Sequence, residues 1–191
     1  MNPSRPSTDS DTPLAIFCRQ IGARSAEHRK AMFLMHGNDL IGQCISILRQ
    51  ELDSMVRVLY LLSLDDITWR DELIRASVDG KEWKRRNGKG RITDAEMLQH
   101  AERLQGWARM VYKFGCSFIH LSRYHDYHSR DALENLSNEE RRSIREFMDH
   151  YHGAHVPHEF SLFDLSPYLF RVFDKISSNL DHYVRDLANG H

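Results

Sequence analysis

Seven of the chain's twelve histidines fall between residues 120 and 158: His120, His125, His128, His150, His152, His155 and His158. Imidazole titrates near neutrality, so this concentration suits proton transfer, metal ligation or neither. The most pointed spacing is in Arg123-Tyr-His-Asp-Tyr-His128, where four residues separate a guanidinium from an imidazole. Cutting RNA without a metal needs a cation on the scissile phosphate and an imidazole near the 2′-hydroxyl or the leaving oxygen. Arginine suits the phosphate because its guanidinium forks onto two oxygens and stays charged. In that chemistry Arg123 binds phosphate, His128 is the acid or base, and His125 and Asp126 tune or orient the pair. One such pair is half of an acid–base apparatus, which predicts a homodimer that brings two together.

Spacing alone discriminates little. Five pairs place a His after an Arg with four to six residues between: Arg29/His36, Arg123/His128, Arg145/His150, Arg145/His152 and Arg185/His191. Composition alone predicts about four. Context singles out Arg123/His128, which follows a long apolar stretch and sits among other His, Asp and Tyr residues. A second reading is a zinc or iron site drawn from His125, His128, His150, His152, His155 and His158, with Asp126, Asp149 and Glu159 nearby. The sequence has neither HExxH nor the repeated Glu-x-x-His pairs of di-iron bundles, so no metal or other cofactor is expected. A third reading makes the histidines solvated loop residues or helix caps, which suits positions 150–158.

Lys81, Lys84, Arg85, Arg86, Lys89 and Arg91 surround Trp83 in one short run. Such a loop either grips a phosphate backbone and stacks a base on the indole, or is a solvated surface. It is the local basic patch in a chain whose formal net charge is only −1, which lacks the cationic excess of a dedicated nucleic-acid binder. Cys18, Cys44 and Cys116 lie among apolar residues in odd number, which predicts reduced, buried thiols in a cytoplasmic protein. The first residues carry no apolar h-region, and the run Val58–Leu64 is too short to span a bilayer, so neither export nor membrane insertion is expected. P-loop, GxGxxG, GxSxG and CxxC patterns are absent.

The elements that must hold these residues read as helices. Residues 1–12 are rich in Pro, Ser, Thr and Asp and predict a disordered tail, with one helical domain over 13–191. Asp11 or Thr12 before Pro13 starts a helix that runs to about His36, with an interruption to be considered at Gly22. Asn38 is placed to cap the next helix, over 39–64, whose Leu40, Ile41, Cys44, Ile45, Leu48, Leu52, Met55, Val56, Leu59 and Leu62 recur at helical spacing. This is the expected central helix. A shorter helix over about 67–78 follows Asp65-Asp66. Thr93-Asp-Ala-Glu96 and Ser137-Asn-Glu-Glu140 are capping boxes, the first opening one long helix through Leu121 and the second a helix to about Tyr151. Gly115 offers a point of close approach for a neighbouring helix. Ser166-Pro167 starts the last helix. No strand or hairpin pattern intervenes, so the fold class is all-α, a single bundle of five to six helices.

The Arg123…His128 spacing within a helical bundle resembles the HEPN superfamily of small α-helical proteins. A looser similarity to uncharacterised prokaryotic HEPN-like bundles lies in Glu51-Leu-Asp-Ser-Met-Val-Arg57-Val-Leu-Tyr60 and in Ser117-Phe-Ile-His120. The resemblance covers residues 40–185 as architecture. It implies a dimer whose facing Arg-x(4–6)-His motifs form a metal-independent RNA-cutting site, in a defence or toxin setting with a partner or antitoxin protein. The alternative functions are a non-catalytic helical interaction module and a His-rich metal-binding protein.

Overall fold

Thr12 stands outside the helical region of backbone space and its hydroxyl accepts the Ala15 N–H, so the first helix begins at Pro13, whose fixed φ suits a first turn. The computed structural model describes residues 12–153 and 155–190; the expected N-terminal tail lies outside them, as does His191. Within them are α1 (Pro13–His36), α2 (Ile41–Leu62), α3 (Ile67–Val78), α4 (Asp94–Gln105), α5 (Ala108–Ile119), α6 (Asn138–His152), the one-turn α7 (Leu162–Leu165) and α8 (Leu169–Ala188). Short 3-10 turns occupy Arg123–Asp126, Ala132–Asn135 and Ser166–Tyr168. No strand occurs among the described residues, and one isolated antiparallel bridge joins Lys84 to Arg91. The protein is all-α.

Helix α2 is the axis. It packs against α8, α5, α1 and α4, while α1 also lies on α3 and α8. Its apolar positions from Ile41 to Leu61 are buried, and Val58, Leu59, Tyr60 and Leu61 in succession leave it no solvent face at that end. α8 answers with Leu169, Val172, Phe173, Ile176, Leu180 and Leu187, one apolar stripe at helical spacing. Each such side chain contributes about 1.5–3 kcal/mol on burial, so this seam is the main source of stability.

Four local expectations change. Helix α1 passes through Gly22 without a break. Asn38 does not cap α2; its amide donates to the Leu34 carbonyl at the end of α1, and Asp39 turns the chain at φ 56°. The long helix expected from Thr93 to Leu121 is two, α4 and α5, because Gly106 adopts φ 33° and redirects the chain before Trp107 buries. That break gives seven helices of twelve or more residues instead of five to six. Finally, Thr93 accepts the Glu96 N–H as a capping box requires, but the Glu96 carboxylate goes to Arg85. Ser137 and Glu140 complete theirs in both directions. No helix among the described residues is long and apolar enough to cross a membrane.

Candidate functional site

The segment bearing Arg123 and His128 begins where α5 ends. Ser122 caps the 3-10 turn: its hydroxyl accepts the Tyr124 N–H at 3.2 Å and donates to the Ser117 carbonyl at 2.7 Å. His125 closes the same turn from the other side. Its Nδ1 accepts the Ser122 N–H at 3.3 Å and its Nε2 donates to the Phe118 carbonyl at 3.1 Å. Both imidazole nitrogens are thereby engaged by backbone, so His125 holds the turn. The Asp126 carbonyl accepts from the Ser129 and Arg130 N–H groups, each at 2.9 Å, while its carboxylate is exposed without a described partner.

Besides His125 and Asp126, which are exposed on this segment, Arg123 and His128 also reach the surface. Neither of these two makes a hydrogen bond or ion pair among the described residues. The Arg123 guanidinium lies 5.8 Å from the centre of the Tyr124 ring, and the His128 ring lies 4.4 Å from Tyr127 and 6.3 Å from Phe163. They share no contact with each other. Phe118 is the hub beneath them, within 6.2 Å of the rings of Tyr124, His125 and Tyr127. The Tyr127 hydroxyl accepts the Gly42 N–H at 3.3 Å, and a Cβ at Gly42 would lie 3.2 Å from that ring. The start of α2 is thus fixed to the same end of the bundle.

Exposed apolar side chains occur in the segments joined there: Leu121 is 95% exposed, and Leu40, Ile119 and Phe163 are exposed as well. The His36 Nε2 meets the Ser166 carbonyl at 3.0 Å, which brings the close of α1, with exposed Phe33 and Leu34, to the same end.

The basic loop is a small hairpin closed by the Lys84–Arg91 bridge and by Ile92 N–H to the Trp83 carbonyl. Trp83 is not a base-stacking platform. It is 4% exposed, its indole donates to Ser77 Oγ at 2.7 Å, and its ring packs on Tyr60 under the Arg57 guanidinium. Four of the loop's six cations face acids: Lys81 Asp79, Arg85 Glu96, Arg86 Asp66 and Arg91 Glu82. Lys84 and Lys89 have no such partner among the described residues.

The downstream histidines do not converge. His152 is half-buried against Phe147, and burial, then Lys175 and Arg171, pull its pKa below the ordinary imidazole value. Its Nε2 is buried without a hydrogen-bond partner. His150 meets Tyr151 edge-to-face, and His155 and His158 are exposed. Among the described residues no three His, Cys, Asp or Glu side chains are placed to hold a metal ion.

Two buried polar networks on α2 and one cleft lie outside the sequence-derived candidates. Glu51 has no exposed surface; its carboxylate takes the Ser25 hydroxyl and the His28 Nδ1, the latter at 2.6 Å, between α1 and α2. Arg49 lies over the Tyr112 ring at 3.5 Å, with Asp53, Asp94 and the Cys116 thiol around its nitrogens. Burial and the hydrogen bond to the Asp94 carboxylate push the Tyr112 phenol well up. The cleft, of about 500 Å³, opens between α5 and α6. Trp107, Met110, Phe114, Ile144, Phe147 and Tyr151 line its apolar floor, and Lys113 and Glu140 pair at its edge. That lysine, then the Ser137 N–H and hydroxyl, hold the Glu140 carboxyl down at about 2. No family model matches this chain, and neither a curated protein nor a solved structure resembles it.

Proposed function

We propose that the chain works as a homodimer joined through the Arg123–His128 end, and that the paired ends form a metal-independent, HEPN-like RNA-cleaving site. The observation that carries this reading is that Arg123 and His128 are both exposed and make no hydrogen bond or ion pair among the described residues, with exposed Leu121 two residues before Arg123 and exposed Phe163 near the His128 ring. A lone chain supplies one phosphate-binding cation and one imidazole there, so the site is incomplete without a second copy. In the dimer Arg123 stabilises charge developing on the phosphate, and the two His128 rings serve as base and acid. In this reading His125 shapes the turn that carries Arg123 and so orients the pair.

The test is cleavage of single-stranded RNA in EDTA with a 2′,3′-cyclic phosphate product, which separates this chemistry from a metal-activated water. His128→Ala is expected to slow it by about a hundredfold or more, the usual worth of positioned proton transfer. Arg123→Ala is expected to cost a similar factor, with helicity retained. Changes at Arg145 and His150 should have little effect. Absence of cleavage, or full activity in His128→Ala, overturns the catalytic reading. The second reading is then a non-catalytic interaction module that uses the same end. That four of the basic loop's six cations face acids favours it.

A further inference from the structure

The α5–α6 cleft has the attributes of a small-molecule site. Ligand sites are concave and mainly apolar, with a few placed polar groups. Here five aromatic residues, Trp107, Phe114, Tyr124, Phe147 and Tyr151, contribute to one cleft of about 500 Å³. A second, wholly apolar space of about 60 Å³ is lined by Met110, Phe114, Ile144 and Phe147 as well, so the floor of the cleft is not tightly filled.

Its lining carries Glu139, Glu140 and Glu146 together with Arg109 and Lys113. Lys113 is held by Glu140, and Arg109 is likewise not free. Glu139 and Glu146 line the cleft without a hydrogen bond or ion pair among the described residues. Together with Ser143 they occupy positions i, i+4 and i+7 of α6, one polar strip above the aromatic floor. Two of the rings already take a cation from within the chain: Lys175 Nζ lies 3.4 Å from the centre of Tyr151 and 5.7 Å from that of Trp107. Aromatic faces attract cations through the ring quadrupole, and more strongly when water is excluded.

We infer that this cleft binds a small organic cation with an apolar body, its charge facing Glu139 and Glu146 and its body on the aromatic floor. This does not depend on the RNA reading, because the Arg123 and His128 side chains are not among its lining. A pair of near-isosteric ions tests it: tetraphenylphosphonium and tetraphenylborate have similar bodies and opposite charge. Calorimetric titration of the full chain at neutral pH is expected to show the phosphonium binding at least about tenfold more tightly. Changing both Glu139→Gln and Glu146→Gln keeps the shape and should shrink that preference to within about twofold. Ser143→Trp, at an exposed position on the cleft wall, should abolish binding of both ions with helicity unchanged. Equal or reversed affinities, no binding of either ion, a preference that survives the double change, or full affinity in Ser143→Trp each overturns the inference.

Discussion

Glu51 is a carboxylate with no exposed surface, set in a helix that is otherwise nearly all core. Its cost in desolvation is offset by the hydroxyl of Ser25 and the imidazole of His28, and Ser25 in turn lies 3.3 Å from Ser177 of α8. Removing one partner of such a group strands the others away from water. Glu51→Ala is therefore expected to cost about 3–5 kcal/mol, read as a lower urea midpoint at unchanged slope. Asp174→Ala, which breaks the half-exposed pair with Arg29, should cost less than about 1 kcal/mol. Equal losses at the two positions would show that the Glu51 network is not what fastens α1 to α2 and α8. At this scale the sequence was a partial guide. It marked Arg123 and His128, which are exposed, and gave His125 an orienting part, but nothing in the spelling Arg-Tyr-His-Asp-Tyr-His says which imidazole folds back onto Phe118. Glu51 was visible as a charge in an apolar run, but its partners Ser25 and His28 come from α1; Arg57 pairs within α2 with Asp53 and meets Asp94 and Trp83 only through the fold.

The helices were legible to the extent that their signals are local. Thr12-Pro13, Asp66 and Ser137 cap as their types require, because a cap is decided within four residues. Gly106 was hidden inside a run that keeps helical periodicity on both sides, and only the chain's need to reseat Trp107 in the core reveals the break. Gly115 shows the reverse, a residue whose meaning is entirely tertiary. A Cβ there would lie 2.7 Å from the Cβ of Arg49 and 3.2 Å from its Cγ and Cδ. The near end of a buried side chain cannot swing aside, so α2 and α5 would have to part. Gly115→Ala raises intrinsic helix propensity by about 1 kcal/mol, yet overpacking of this kind costs about 1–3 kcal/mol. The net expectation is a lower thermal midpoint, while Gly22→Ala, with no atom within 4 Å of the added carbon, should raise it. A stabilised Gly115→Ala would mean that the α2–α5 approach is looser than the geometry states.

At the scale of the whole molecule, the two candidate surfaces adjoin at Tyr124, which lines the cleft and belongs to the 119–128 turn. The α5–α6 cleft lies along the flank of α5, whereas the apolar end gathers the close of α1, the start of α2 and the 119–128 turn. The end argues for a second copy. Leu121, at 95% exposure, leads directly into the Ser122 cap and Arg123, so whatever covers it lies beside the Arg–His pair. The sequence reading put a pairing at Arg123 and His128 but saw no apolar patch there, because Leu121 continues the apolar spacing of α5 and reads as core until α5 is seen to end at Ile119. A closed twofold contact uses the same patch on both chains, so a single substitution acts twice. Loss of one buried leucine costs about 1.5–3 kcal/mol, and a carboxylate in its place adds desolvation, so two copies of Leu121→Asp should weaken association by more than about a hundredfold. Sedimentation at micromolar concentration is expected to give about twice the 22.4 kDa chain mass for the wild type and the single-chain mass for Leu121→Asp, with the same far-ultraviolet helicity. If RNA is cleaved only by the paired ends, activity should fall in step with the dimer as Leu121→Asp is diluted. A wild-type chain that stays monomeric, or a monomeric Leu121→Asp that cuts RNA at the wild-type rate, removes the basis for a composite site.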